Sequence, residues 1–481
     1  MSLIQHTACH LVDELRAGTI TPIDLLDALE ARIAEVDADV NALPTRCFDR
    51  ARSNAEALMK QPVAERGELC GLPVAIKDLE PVAGVRTTWG SPIFENFIPQ
   101  SSDCMVDVLE TNGGIVYAKT NTPEFGAGAN TFNEVFGQTL NPWNTAMSCA
   151  GSSGGSAVAL ATGMAWLATG SDLGGSLRNP ASFCSIVGFR PSHGRVPRGS
   201  AGPGAYPDTL GGMSYSPFSV AGPMARNVPD LALLFDSMIG HHPGDPLSMP
   251  RDAKNFREAI TSGWMPKRVA FSADFGVTPV DPEVARITEQ TARVFEQLGA
   301  TVEHAHPDFS DVQEIFQTNR AIGFYVASKQ LLEHNRDMLK PEVIWNIEKA
   351  REVSMDDIER VENLHSAYIK RASDFFNEYD LLLSPATIVP PYPVEQRFVE
   401  RCNGVEFENY IEWLTIAYAI TVTGFPALSL PAGFTTNGLP VGLQICAGPR
   451  AEWEVLSAAA QLEQKLKLEP AVPIDPIVAG A

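Results

Sequence analysis

The chain has 481 residues, of which 44% are hydrophobic and 20% charged, a composition typical of folded globular proteins that excludes the disordered and fibrous classes. Asp and Glu outnumber Lys and Arg by 58 to 36, so the formal net charge is −22 and the overall field repels nucleic acid and anionic membranes. No apolar stretch reaches the ~18 residues of a membrane span, and the N-terminus has no signal-peptide pattern, so we expect a cytoplasmic protein.

Helical and strand patterns alternate along the chain, which is typical of α/β layering. Thr21 and Pro22 form a helix start, and the apolar residues that follow at helical spacing predict an amphipathic helix over 21–37. The other predicted elements are strands at 72–76, 115–118, 165–168, 380–383 and 427–430, and helices at 105–110, 157–161, 282–298 and 451–466. No clear linker separates them, and the Pro- and Gly-rich stretch 197–212 is predicted to be a long functional loop.

The eight cysteines are scattered and include no CxxC pair, which favours isolated thiols over a disulfide framework or a zinc site. The nine histidines are dispersed as well, and no cluster of cysteines or carboxylates accompanies the two close histidine pairs at 241–242 and 304–306. The sequence therefore predicts no metal site.

A Gly- and Ser-rich segment, SCAGSSGGS at 148–156, is followed at once by an apolar helical run, which places it at a helix N-terminus with free N–H groups. A phosphate loop is disfavoured because Ser156 stands where the Walker motif needs lysine. Residues 151–155 fit G-x-S-x-G with Ser153 as nucleophile, but the polar stretch before them makes a poor strand, which disfavours an α/β-hydrolase elbow.

A second cluster, SDLGGSLR at 171–178, directly follows the strand-like run 165–168. A strand followed by glycines and a serine leaves backbone N–H groups facing a cleft, where they can stabilise a tetrahedral oxyanion. Ser176 is the candidate nucleophile and needs a base. The nearest histidine in sequence is His193, whereas Lys77 ends a strand-like run and becomes a base if burial lowers its pKa. For Lys77, exposure to water and pairing with a carboxylate stay open on these observations.

Seven blocks of the chain together resemble the amidase signature family. They are AGSSGGSAVALATG and its continuation to residue 192, VAIKD at 74–78, AKTNTPEF at 118–125, NPWN at 141–144, VAGPMARNVPDLALL at 220–234, DLLLSPA at 380–386 and FPALSLPAGFTTNGLPVGLQI at 425–445. The resemblance implies a triad of Lys77 as base, Ser152 as bridging serine on a cis peptide, and Ser176 as nucleophile. It also implies backbone oxyanion donors at Leu173, Gly174, Gly175 and Ser176, and supporting roles for Ser153, Asp172 and Arg178.

The resemblance implies one large α/β domain over residues 1–481, in which a mixed, mostly parallel twisted sheet is covered by helices on both faces. Its signature core is expected at about 74–192, with an N-terminal helical segment at about 1–60 packed on it. The implied function is hydrolysis of a small carboxamide, or also an ester, through a serine acyl-enzyme. No metal or organic cofactor and no nucleic-acid or membrane partner is implied, and a homodimer is left open.

Two other functions stay open on the sequence. One is the glutaminase subunit of a tRNA-dependent amidotransferase, a family relative, but YSPFSVAGPM at 215–224 does not resemble the SSLDQIGP segment found there. The other is a catalytically inactive scaffold with the same fold, which the three occupied triad positions disfavour. Loops at residues 86–99, 198–212 and 317–325 are expected to form the pocket walls and so to determine substrate choice.

Overall fold

The computed structural model describes residues 2–210, 218–468 and 472–480, so parts of the predicted loop 197–212 and of block 215–224 lie outside the described residues. Its strands are β1 Thr45–Arg46, β2 Pro73–Lys77, β3 Ile115–Thr120, β4 Phe132–Asn133, β5 Gly137–Gln138, β6 Leu167–Asp172, β7 Val187–Arg190, β8 Val220–Ala225, β9 Arg268–Phe271, β10 Thr301–His304, β11 Leu381–Pro385, β12 Arg401–Cys402, β13 Val405–Glu406, β14 Ala427–Phe434 and β15 Pro440–Cys446. Its helices are α1 Ala8–Ala17, α2 Pro22–Val40, α3 Phe48–Met59, α4 Cys104–Thr111, α5 Gly154–Ala161, α6 Arg178–Cys184, α7 Val228–Met238, α8 Arg257–Thr261, α9 Pro282–Ala292, α10 Val294–Gln297, α11 Val312–Asn335, α12 Pro341–Lys349, α13 Met355–Phe375, α14 Thr415–Thr423 and α15 Glu452–Leu466.

Eleven of the described strands form one sheet, in the order β1-β3-β2-β6-β8-β7-β14-β15-β11-β9-β10. Helices cover both of its faces, as two consecutive residues of β7 demonstrate. A Cβ added at Gly188 would meet Ala181 of α6, whereas the ring of Phe189 packs edge-on against Phe235 of α7 at 5.1 Å. Because successive residues of a strand point to opposite faces, α6 and α7 lie on opposite sides of the sheet. The expected α/β fold is confirmed.

The sheet is mixed, as expected, but the expectation that it is mostly parallel is wrong. Parallel pairs join β2 to β3 and β6, and β9 to β10 and β11. The other six pairs of neighbouring strands are antiparallel. One cause is the hairpin of β14 and β15, whose short connection at Asn437–Gly438 forces opposite strand directions. An Asn-Gly pair between apolar runs favours such a hairpin, so the sequence carries a local signal for this antiparallel pair.

Most predicted elements are confirmed close to their predicted bounds. At the start of α2, Thr21 Oγ1 accepts a hydrogen bond from the Asp24 N–H while the Asp24 carboxylate accepts one from the Thr21 N–H, which forms a capping box. The predicted helix 282–298 is divided at Arg293 into α9 and α10. Residues 197–210 contain turns and bends but no helix or strand, in agreement with a loop.

All eight cysteines are free thiols, and six of them are buried. Burial raises the pKa of the Cys149 thiol to about 12, so this thiol stays protonated at neutral pH. Within the described ranges, no helix combines the length and the apolar composition needed to cross a bilayer.

Candidate active site

The predicted site residues lie at strand ends and helix starts near the middle of the sheet. β2 and β6 are parallel neighbours, so their carboxyl ends, Lys77 and Asp172, lie at the same edge of the sheet. Ser152 and Ser153 directly precede α5, and Ser176 lies two residues before α6. Segments far apart in the sequence therefore meet at one edge of the sheet.

The Lys77 side chain is completely buried and contacts three serine hydroxyls. Its Nζ lies 2.7 Å from Ser152 Oγ, 2.9 Å from Ser153 Oγ and 3.0 Å from Ser171 Oγ. An ammonium would donate to all three oxygens, whereas a neutral amine donates to two and accepts a hydrogen bond from the third hydroxyl. The arrangement therefore accommodates both protonation states of Lys77.

The environment of Lys77 favours the neutral amine. Burial lowers the pKa of Lys77 to about 7, the negative charges of Glu80 and Asp172 oppose this shift, and the positive charge of Arg198 adds to it. Glu80 is itself buried, and its Oε2 has no hydrogen-bond partner among the described residues. Burial raises the pKa of Glu80 to about 7. Burial therefore shifts Lys77 towards its uncharged form.

Two glycines allow the start of α5 to reach Lys77. A Cβ at Gly154 would lie 2.2 Å from Thr131 Oγ1, and one at Gly155 would lie 2.3 Å from the backbone nitrogen of Asn121. Both distances are too short for any other residue type unless the neighbouring atoms shift. The Gly151–Ser152 peptide bond is cis, as the family resemblance implies.

Ser176 is half-buried and lies beside this cluster. The Ser153 N–H donates to the Ser176 carbonyl oxygen at 3.3 Å, which ties the two serine segments together through the backbone. Among the described contacts, no direct hydrogen bond joins the Ser152 and Ser176 hydroxyls. The structure thus brings Lys77 and Ser152 into direct contact and places Ser176 next to them.

Three backbone N–H groups around Ser176 have no acceptor among the described residues. The N–H groups of Leu173, Gly174 and Ser176 donate to no acceptor in the described part of the chain. The N–H of Gly175 is occupied, because it donates to Asp172 Oδ1 at 3.0 Å. Three of the four predicted oxyanion donors are therefore free, and the fourth fixes the loop to the Asp172 carboxylate.

The Asp172 carboxylate is completely buried between two guanidinium groups. Arg178 Nε and Nη2 lie 3.0 and 2.9 Å from its two oxygens, and Arg190 Nη1 lies 3.3 Å from Oδ1. Burial alone raises the pKa of Asp172, but the charges of Arg178 and Arg190 hold this pKa below its ordinary value. The carboxylate is therefore ionised. Arg178 also donates to Thr421 Oγ1 at 3.1 Å and to Gln444 Oε1, which ties the serine loop to α14 and β15.

We expect Asp172→Asn to lower the free energy of unfolding by about 3 to 5 kcal/mol, because it leaves two buried guanidinium groups without their counter-ion. Equilibrium unfolding in urea measures this loss. Asp374→Asn is the matched control, since Asp374 pairs with Lys370 on the exposed surface and such pairs contribute little. Equal effects of the two substitutions would contradict a structural role for the buried pair.

A cavity of about 620 Å³ lies beside these groups and shares Ser171 and Leu173 with them. All three segments expected to form pocket walls contribute to it, through Trp89, through most of residues 198–206, and through Asn319 to Phe324. The third segment belongs to helix α11 rather than to a loop. The cavity is of the size that holds a drug-sized molecule.

Sequence reasoning missed Ser171 and Glu80 as neighbours of Lys77. A signal for Ser171 was present, because strand alternation points it to the face opposite Asp172 at the end of β6. Glu80 belongs to no motif, and its burial beside Lys77 depends on the packing of the whole loop. Sequence reasoning also missed Arg190 as the second partner of Asp172. Arg190 ends β7, which is two strands away from β6 in the sheet.

Known proteins resemble this chain over almost its full length. A family model described as Amidase matches residues 24–456. An acylamidase from Rhodococcus erythropolis is 33% identical over 479 residues, which cover 98% of each chain. The A subunit of the Glutamyl-tRNA(Gln) amidotransferase of Syntrophus aciditrophicus (strain SB) is 31% identical over 505 residues, covering 98% of this chain and all of its own. The crystal structure of a bacterial aryl acylamidase, a member of the amidase signature family, matches with a TM-score of 0.85 and 27% identity, over 95% of this chain and 96% of its own.

Proposed function

The chain belongs to the amidase family, whose members hydrolyse amides, and from this premise we propose that it is a free-standing amidase. Its substrate is a small carboxamide, with esters as further substrates. Cleavage proceeds through an acyl-enzyme on Ser176. The observation that carries the proposal is the contact of buried Lys77 with Ser152, next to backbone N–H groups without acceptors. In this proposal Lys77 is the base, Ser152 relays the proton, and the N–H groups form the oxyanion site beside half-buried Ser176.

In the first half-reaction, Ser176 Oγ attacks the amide carbon while its proton passes through Ser152 to neutral Lys77. This transfer requires the two serine hydroxyls to come within hydrogen-bond distance in the substrate complex, where catalytic hydrogen bonds commonly tighten. The oxyanion that forms accepts hydrogen bonds from the N–H groups of Leu173, Gly174 and Ser176. Each such donor typically lowers the barrier by about 3 to 4 kcal/mol.

The first half-reaction is completed when the C–N bond breaks and the proton on Lys77 returns through Ser152 to the departing nitrogen. An acyl ester on Ser176 and free ammonia or amine result. A water molecule then attacks the ester carbon and loses its proton along the same route. The ester bond breaks, Ser176 Oγ regains its proton, and the acyl group leaves as a carboxylic acid. Ser153 and the buried pair of Asp172 and Arg178 hold the loop in place.

The glutaminase subunit of a tRNA-dependent amidotransferase is the second candidate. The similarity to the relative from Syntrophus aciditrophicus favours it. Against it, residues 215–224 differ from the segment associated with such glutaminases, although residues 215–217 lie outside the described residues. Co-purification with the other proteins of an amidotransferase complex, together with glutamine hydrolysis that depends on them, would establish this alternative.

Labelling of the purified protein with a fluorophosphonate tests the proposed function. We expect mass spectrometry to find the label on Ser176, and we expect acyl p-nitroanilides graded in chain length and aromaticity to be hydrolysed. Where deacylation is slow, p-nitrophenyl esters should show a burst of product equal to the enzyme concentration. A label on a different residue would overturn the assignment of the nucleophile. Cytoplasmic location and the absence of a nucleic-acid partner stay predictions from the sequence, and a homodimer stays open.

A further inference from the structure

The cavity beside the candidate active site has mostly apolar walls. Trp89, Phe125, Phe218 and Phe324 line it, and the ring of Tyr206 lies 6.0 Å from that of Trp89. Flat apolar walls of this kind suit an aromatic ring or a hydrocarbon chain. Apolar walls do not indicate whether the preferred substrate is neutral or charged. The charged side chains that line the same cavity bear on that preference.

Arg198 lines this cavity and has unused hydrogen-bonding capacity. Its Nη1 donates to the carbonyl oxygen and to Oγ of Ser219, both at 2.8 Å. Its Nε and Nη2 donate to no group in the described part of the chain, and no described carboxylate lies within salt-bridge distance of it. Residues 211–217, which lie outside the described ranges, contain no Asp or Glu. By contrast, the nearby Arg190 and Arg195 pair with carboxylates.

The backbone at Arg198 is held by buried carboxylates. The Arg198 N–H donates to Asp245 Oδ2 at 2.9 Å, and the Gly199 N–H donates to Asp103 Oδ2 at 3.1 Å. The Tyr206 hydroxyl donates to the same Asp103 oxygen at 2.7 Å. Asp245 also lines the cavity, but its other oxygen accepts the Leu247 N–H at 2.9 Å. These carboxylates therefore position the loop without pairing with the Arg198 guanidinium.

A second guanidinium lies in the wall. Arg320, only 8% exposed, donates from Nε to Asn346 Oδ1 and from Nη2 to the Tyr410 hydroxyl, both neutral groups. It forms no ion pair with any described carboxylate, and its guanidinium carbon lies 4.7 Å from the ring centre of Phe324. Arg198 and Arg320 therefore both line this cavity without an ion pair to any described carboxylate, in a protein whose net charge is −22.

We propose that this cavity selects amides that carry a carboxylate beyond an apolar segment, and that Arg198 binds this carboxylate. The inference rests on the proposed amidase function and names its substrate class. A guanidinium binds a carboxylate through two parallel N–H···O bonds, which the free Nε and Nη2 of Arg198 can supply. The aromatic walls then contact the apolar segment between the carboxylate and the scissile bond. Arg198 is a specificity-determining residue in this arrangement, and the cleavage chemistry stays with Ser176.

Matched pairs of anilides test the proposal with the full-length enzyme. For a carboxylate on the acyl side, the pair is the mono-p-nitroanilide of suberic acid and its methyl ester. For a carboxylate on the amine side, the pair is N-octanoyl-4-aminobenzoate and the neutral ketone N-octanoyl-4-aminoacetophenone. In one of the two pairs we expect the wild type to prefer the carboxylate by about tenfold to a hundredfold in kcat/KM, which is the range for hydrogen bonds to a charged group. Arg198→Gln is expected to bring that ratio to within about threefold of one, mainly through KM.

Arg286→Gln is the matched control, because Arg286 lies on the exposed surface of α9. It is expected to keep the wild-type ratio. A readout without a variant is inhibition of the wild type by suberate, which should be competitive and at least about tenfold stronger than inhibition by its dimethyl ester. If both anilide pairs give ratios near one, or if Arg198→Gln keeps the preference, the proposal is wrong while amidase function stands. If no anilide is hydrolysed and no fluorophosphonate label reaches Ser176, the proposed function fails first and the inference with it.

Discussion

Ser176→Ala is expected to lower kcat for amide hydrolysis by about 10⁴- to 10⁶-fold, the loss seen when a serine hydrolase loses its nucleophile. The substitution removes the only atom that forms the acyl ester in the proposed mechanism. The backbone N–H groups stay in place, so substrate binding should change much less than turnover. Steady-state kinetics with an acyl p-nitroanilide, together with fluorophosphonate labelling of the same preparation, measure the effect.

The alanine variant should fold normally, because the Ser176 hydroxyl forms no hydrogen bond with the described residues and the side chain is only half-buried. Ser366→Ala is the matched control: this serine lies on the exposed surface of α13 and donates only to the Glu362 carbonyl oxygen. It should keep wild-type turnover and labelling. Persistent turnover in Ser176→Ala would transfer the nucleophilic role to a neighbour, and Ser153 and Ser171 would be the next serines to test.

Lys77→Met is expected to lower kcat/KM by about 10²- to 10⁴-fold, which is the usual contribution of a positioned general base. Methionine fills a similar volume but neither accepts nor donates the proton that leaves Ser176. Lys370→Met is the matched control, since Lys370 is exposed on α13 and pairs only with Asp374. Wild-type kcat/KM in Lys77→Met would exclude this lysine as the base.

The pH dependence of the wild type tests the role of Lys77 without any substitution. Because burial lowers the pKa of Lys77 to about 7, the amine is protonated and inactive as a base at lower pH. We therefore expect kcat/KM to rise tenfold per pH unit below about 7 and to level off above it. Activity that instead falls as the pH rises through 7 would mean that the charged ammonium is the active form.

The titration of Glu80 must be distinguished from that of Lys77 in this pH profile, because burial raises the pKa of Glu80 into the same range. Its negative charge raises the pKa of Lys77. Glu80→Gln removes that charge, so we expect the acidic limb of the profile to move to lower pH. A limb that disappears in Glu80→Gln would assign the titration to Glu80 rather than to Lys77.

Local patterns were sufficient to predict much of the fold. The capping residues Thr21 and Pro22 and the apolar spacing after them predicted α2, and short apolar runs predicted β2 and β3. These signals act between residues a few positions apart, where the backbone hydrogen bonds of helices and the alternation of strands operate. The directions of paired strands were predicted less well, because they depend on connections that the runs themselves do not encode.

The candidate residues of the site were named from sequence, whereas their contacts follow from the order of strands in the sheet. Lys77 and Ser171 are 94 positions apart, and they touch because β2 and β6 are parallel neighbours whose carboxyl ends meet. The same packing buries Lys77 and so lowers its pKa, and it directs the Gly175 N–H to Asp172. Arg198 likewise lines the cavity because the buried carboxylates of Asp103 and Asp245 hold the backbone of its loop. Burial and electrostatic fields are sums over many distant groups, so they are established only when the whole chain is packed.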